Sequence, residues 1–212
     1  MILKKNINKA FYLFLFSHLL VWTLIPSFSN INLPLDTIEA LAWGSNLDWG
    51  FNKHPPLSAF AVEIFYFLFG NNDWAYYFLS QIFLTTAFYF VWRLSYLMLE
   101  DKIYSLLAVL TLSSIYFYNF TTPEFNVNVS QLPFWASSVY FFWRGLNYNK
   151  KIDWILFGVL SALGFLSKYL FIFLLLSLFF FFILNLKKYR QSIKNYFLSI
   201  LISLILLIPH LI

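Results

Sequence analysis

The chain contains no cysteine, which excludes disulfides and thiolate metal sites. Charge is almost as scarce. Only 11% of residues are Asp, Glu, Lys or Arg, against about a quarter in ordinary soluble domains. No soluble domain, low-complexity linker or clear internal repeat interrupts the sequence. No basic stripe with base-stacking aromatics stands apart from the apolar segments, so the net charge of +5 points to membrane flanks and not to nucleic acid. Apolar bulk fills the chain instead: 61% of residues are hydrophobic and 24% aromatic. A bilayer core of about 30 Å takes about 20 apolar residues per helix, and runs of that kind recur from Ala10 to Ile212. The class is an all-α polytopic membrane protein.

Spans are predicted near residues 10–28, 74–97, 103–120, 127–146, 154–167, 170–186 and 196–212. Ser27-Phe28-Ser29 loosely fits a signal-peptide cleavage site, but the many spans that follow favour an anchor. The apolar stretch Pro56–Phe69 decides the topology. If it crosses the membrane, the clusters Arg93/Lys102, Arg144/Lys150/Lys151 and Lys187/Lys188/Arg190/Lys194 fall outside. If it lies along the interface, they join Lys4, Lys5 and Lys9 inside, leaving only Lys53 and Lys168 of the fourteen cations outside. The excess of cytoplasmic Lys and Arg in membrane proteins favours the second arrangement, and the stretch is short for a span. The expectation is about seven transmembrane helices with one large outer loop over residues 29–73, which holds a juxtamembrane helix, and a short one near 120–126.

Six acids then lie outside: Asp36, Glu39, Asp48, Glu63, Asp73 and Glu124. Asp36 and Glu39, three apart, share a helix face. They read equally as helix-start chemistry, with Asp36 as N-cap and Glu39 as its capping-box partner. Lys53-His54-Pro55-Pro56 precedes an apolar run. Prolines suit a first helical turn, and free N–H groups there, with Lys53 and His54 beside them, suit a phosphate at the membrane surface. Glu124 and Asn126 occupy the second outer loop and can reach the same cavity or simply form a solvated turn. Lys168 ends a predicted span, where it can snorkel or face the site. His18 and His210 read as satisfied packing residues.

The order Asp36-x-x-Glu39-Ala40, Trp43-Gly44, Trp49-Gly50, Lys53-His54-Pro55-Pro56-Leu57 resembles the first outer loop of the family 39 glycosyltransferases. This is the GT-C-fold group that includes protein O-mannosyltransferases and the aminoarabinose transferase of lipid A. Glu124-Phe125-Asn126, Pro133-Phe134-Trp135-Ala136, and Gly164 with Ser167-Lys168-Tyr169 fit the same pattern. Many members have Asp and Glu adjacent, whereas here Thr37 follows Asp36. Members are usually longer, so an N-terminal fragment is expected, folded as one GT-C-like module over residues 1–212.

The resemblance implies transfer of a sugar from a polyprenyl-phosphate donor to a lipid (lipid A or another glycolipid) or protein acceptor. The membrane would be a bacterial inner membrane and the active site would face the periplasm. It casts Asp36 and Glu39 as catalytic, Lys53, His54 and Lys168 as donor-phosphate ligands, and Glu124 and Asn126 as acceptor or sugar ligands. The acid-rich site could hold a divalent cation, although no ligand set demands one. A lipid-linked-sugar flippase would instead place polar groups at mid-membrane on broken helices, and a non-catalytic scaffold would make the outer acids dispensable.

Overall fold

The computed structural model describes residues 2–212, with side chains from Asn6 onward, so the side chains of Lys4 and Lys5 lie outside the described residues. Nine α-helices and no strand occur among those residues. They are α1 (Ile2–Ser29), α2 (Leu35–Gly44), α3 (Leu57–Phe69), α4 (Asp73–Leu99), α5 (Lys102–Ser113), α6 (Val127–Tyr148), α7 (Lys151–Ser167), α8 (Ile172–Leu184) and α9 (Ile193–Leu211). Helices α2 and α3 fall inside the predicted outer loop, and the others, α5 excepted, follow the predicted spans.

Local chemistry sets the boundaries. Asp101 caps α5 by accepting the Ile103 N–H at 2.7 Å, and Asn126 caps α6 by accepting from Asn128 and Val129. Such caps satisfy donors that the first helical turn leaves open. Gly70 ends α3 at a φ of +65°, a conformation that a residue without Cβ adopts at little cost. The α5 region departs from the expected span. The α-helix stops at Ser113 and the chain continues through irregular backbone into a wide turn over Phe117–Thr121. Asn119 hooks that turn, its amide donating to the Ser113 and Ile115 carbonyls.

By length and composition, three helices can cross a membrane: Asn6–Ser29, Asp73–Leu99 and Arg190–Leu211. Shorter apolar helices cover Leu57–Phe69, Lys102–Ser113 and Tyr169–Leu184. The bundle is built around α6, which packs between α4 and α7. In turn α4 carries α1 and α5, and α7 carries α9. Small residues set a close crossing of α7 and α9. A Cβ on Gly158 would lie 2.6 Å from the Ser199 carbonyl, and Ser203 donates across the same seam to the Gly158 carbonyl at 2.7 Å. Close backbone approach of this kind is how apolar helices associate where lipid competes for their side chains.

Three aromatic-rich clusters fill the interior. One holds Phe11, Leu84, Phe88, Trp92 and Val109 between α1, α4 and α5. Another holds Phe142, Trp154, Phe157, Phe182 and Tyr196 at the far end of α6. The third gathers Ala40, Val62, Tyr76, Leu79 and Val129 around Phe125 and forms the floor of the polar site. The Phe179–Phe182 run divides its roles: Phe182 is buried in the core while Phe180 is exposed. His18 packs edge-on against Phe88, but its Nε2 is buried without a hydrogen bond, so it is not the fully satisfied residue expected.

Candidate active site

Helix α2 begins after Pro34, whose carbonyl receives the Thr37 and Ile38 N–H groups. Pro34 is the cap residue, and Asp36 already stands one position inside the first turn. The expected N-cap role of Asp36 is therefore corrected, and with it the capping box, because the Glu39 carboxylate turns to Lys53. The cap comes from a distant part of the chain. The Asp36 backbone N–H donates to Glu124 Oε1 at 3.1 Å. One residue on, the Thr37 hydroxyl donates to the Phe125 carbonyl at 3.1 Å. Asn126 completes the clasp, its amide donating to Asp36 Oδ2 at 3.4 Å. The Asn126 carbonyl oxygen is meanwhile committed to the start of α6. One side chain thus fixes both the second outer loop and the Asp36 carboxylate. Buried Phe125 anchors the same segment edge-on against Phe83.

Facing Asp36 is the segment before α3. Pro56 is the α3 cap residue, as the double proline suggests. The ring of His54 packs edge-on against Trp43, which stacks on Phe51 at 5.3 Å. Asp36, Glu39, Trp43, His54, Ser58 and Asn126 line one narrow cleft of about 10 Å³, the space of a single water. Helices α2 and α3 approach closely beside it, since a Cβ on Gly44 would lie 2.8 Å from the Ala59 carbonyl. Lys53 stands at the rim and pairs with both Glu39 oxygens, at 2.9 and 3.2 Å. Lys168 follows the last residue of α7 and donates to the Asn128 side chain in the first turn of α6. Glu124 stands behind Asp36 and does not line the cleft.

The electrostatics divide these groups. Burial pushes the Glu124 carboxyl up. The Asp36 N–H opposes that shift, and the Asp36 carboxylate adds to it. His54 is lowered, chiefly by burial and then by the neighbouring Lys53 charge, with Lys168 adding a smaller effect. His54 therefore enters the site as a neutral imidazole. Lys53 is raised, chiefly by its hydrogen bond to Glu39. No three His, Asp or Glu side chains converge as a metal-ligand set among the described residues.

Several participants were not singled out from the sequence. Thr37 and Asn128 lie one and two residues from marked positions, and Trp43, Phe51 and Ser58 are in or beside the loop motif. His210 gave no such signal. It bonds the Trp49 carbonyl through Nδ1 and the Tyr169 hydroxyl through Nε2, tying the first outer loop to the end of α9. Its reading as a satisfied residue holds. A larger cavity of about 380 Å³ adjoins another face of α2, between Leu41, Glu63, Asp73 and Tyr76.

Long apolar helices with a polar site gathered at one end of the bundle define an integral membrane protein. Residues 53–212 match the model of a family described as dolichyl-phosphate-mannose-protein mannosyltransferase. The chain belongs to that family and is a membrane glycosyltransferase. The resemblance read from the loop motifs is thereby confirmed. The matched segment includes Lys53, His54, Glu124, Asn126 and Lys168, while Asp36 and Glu39 lie upstream of it. No curated protein and no solved structure matched the chain.

Proposed function

We propose that this protein moves a sugar from a polyprenyl-phosphate donor to a hydroxyl of a lipid or protein acceptor on the outer, periplasmic face of a bacterial plasma membrane. The observation that carries this reading is the clasp on Asp36. Glu124, Phe125 and Asn126 hold its backbone and carboxylate from one side, and His54 closes the cleft from the other. A carboxylate held in this way can take a proton at a fixed point. The acceptor O–H proton goes to Asp36, the acceptor oxygen bonds to the anomeric carbon, and the bond from that carbon to the phosphate oxygen breaks. The electron pair stays on the departing lipid phosphate. Positioned general bases contribute about 10²–10⁴-fold.

Charge developing on the phosphate is met by donors fixed beforehand, which need no reorganisation during the reaction. These are Lys53, neutral His54 donating through a ring N–H, and Lys168 from the end of α7. Glu39 holds Lys53 in place and shares the cleft with Asp36 as the second catalytic carboxylate. Glu124 and Asn126 act first by positioning Asp36, and Asn126, which lines the cleft, can also meet a sugar hydroxyl. The cleft admits one water, so the sugar ring sits at its mouth, beside Lys53.

The same reading has seven crossings, with α3 along the interface. At 13 residues, α3 is about 20 Å long, well short of the 30 Å bilayer core. Phe67 and Leu68 leave its apolar outer face exposed, as an interfacial helix requires. The test is to supply the protein with a labelled polyprenyl-phosphate sugar and membranes, then follow label into lipid and protein fractions. Label in either fraction supports transfer and names the acceptor class. No label in either, with correctly inserted protein, removes the reading.

A further inference from the structure

At the other end of α6 lies a second polar cavity that the transfer reaction does not use. It has a volume of about 570 Å³ and is lined by Arg93, Glu100, Tyr140, Arg144, Tyr148 and Lys150, together with Tyr96 and Leu97. Asn126 and Arg144 are 18 positions apart along α6, about 27 Å at helical rise, so the cavity is well separated from the Asp36 cleft.

We infer that this cavity binds a phosphate-bearing anion. Arg93 donates to the Tyr89 hydroxyl at 2.9 Å and to the Tyr140 hydroxyl at 3.1 Å. Arg144 donates to the same Tyr140 oxygen at 3.0 Å. Two guanidinium nitrogens bonded to one oxygen lie within about 6 Å of each other. Like charges held that close repel, and the fold supplies only part of the compensation. Arg144 pairs with the buried Asp153 carboxylate, its Nε 3.0 Å from Oδ1. Arg93 has no carboxylate within ion-pair distance among the described residues, and its hydrogen-bond partners are the two tyrosines.

Tyr140 accepts from both arginines, so its own O–H is free to donate, and no acceptor for it occurs among the described residues. Lys150 adds a third cation to the lining, opposed there only by Glu100. Planar guanidinium donors with a phenol hydroxyl between them match the oxygens of a phosphate. The exposed rings of Tyr96 and Tyr148 flank the opening. Interfacial tyrosines sit at the headgroup level of a bilayer, so the phosphate can belong to a phospholipid headgroup or arrive as a free ion. The inference does not depend on the transfer reaction or on Asp36.

The test uses the whole chain, purified in detergent. Native mass spectrometry counts retained phosphatidylglycerol against retained phosphatidylcholine, and equilibrium dialysis measures binding of [³²P]phosphate. The variants are Arg93→Gln and Lys150→Gln. Arg144 is left alone, because its loss would strand the buried Asp153 charge. Lys150 makes no side-chain cap to α7, so its replacement leaves the helix start unchanged should Arg93→Gln unfold. Loss of one charge-assisted contact should weaken binding about tenfold. Preferential retention of phosphatidylglycerol, reduced in the variants, assigns the site to a lipid headgroup. Phosphate binding reduced in the variants, without lipid preference, assigns it to a free anion. Absence of both kinds of binding, or binding equal in wild type and folded variants, overturns the inference.

Discussion

The Asp36 backbone N–H donates to the Glu124 carboxylate across 3.1 Å, although 88 residues separate the two in sequence. A helix start is thus closed by a side chain from another loop, and the cleft exists only where those two loops meet. Loss of a capping acceptor costs about 0.5–2 kcal/mol. Glu124→Ala should therefore lower the melting temperature in detergent, while Glu124→Gln keeps an acceptor oxygen and should not. Equal melting of the two variants would mean that the contact does not support the fold.

The raised Glu124 carboxyl makes a second, independent forecast. A carboxyl whose folded pKa lies above its unfolded value favours the folded state while protonated, and loses that contribution as pH rises through the folded pKa. Glu124→Gln should therefore be at least as stable as wild type at neutral pH. Its relative advantage should disappear when the pH falls below the ordinary carboxylate range. Thermal unfolding at both pH values gives the comparison, and an advantage for Glu124→Gln that grows on acidification would contradict it.

His54 and Lys53 should both affect use of the donor. Lys53→Ala leaves an exposed ion pair broken, and surface pairs contribute little, so melting should hardly move. Donor KM should instead rise about tenfold or more in Lys53→Ala and in His54→Ala, as charge-assisted or buried contacts to phosphate are lost. His54 titrates below its ordinary value of 6.5 because of burial and the Lys53 charge. In Lys53→Ala the His54 titration, followed by NMR, should move upward. An unchanged midpoint and unchanged donor KM would remove both residues from phosphate recognition.

The absence of cysteine makes topology simple to test, because each single-cysteine variant has no background. Asn72→Cys, between α3 and α4, should react in intact cells with a membrane-impermeant thiol reagent, and Gln191→Cys, between α8 and α9, should not. Both positions are exposed. Labelling of Gln191→Cys alone would reverse the seven-span arrangement.

Sequence periodicity and charge marked the helices well because apolar length is a local property. Both motif loops were equally legible, since Asp36, Glu39, His54 and Asn126 do share one cleft. The errors arose where a distant partner replaced a local one. Spacing offered Glu39 to Asp36 as a capping partner, but the fold gave Glu39 to Lys53 and Glu124 to the Asp36 N–H. The lowering of His54 comes chiefly from burial, which its place beside Lys53 in the sequence does not reveal. The bonds of His210 to Trp49 and Tyr169 join positions up to 161 residues apart and had no sequence signature. The regular helix of the expected 103–120 segment ends at Ser113, where side chains of the next segment, Asn119 among them, bond backbone carbonyls.

The most direct measurement is turnover of Asp36→Asn in a labelled-sugar transfer assay, normalised to folded protein. Asn preserves size and a carbonyl oxygen that can still accept from Asn126, and Pro34, not Asp36, occupies the cap position. Loss of one first-turn negative charge costs about 0.3–1 kcal/mol of stability, which the normalisation removes. Asp48→Asn, in the same outer loop but away from the cleft, serves as the control. The account predicts a fall of about 10²-fold or more for Asp36→Asn, with Asp48→Asn close to wild type. Turnover of Asp36→Asn within about threefold of wild type, a loss far smaller than a general base supplies, would contradict it.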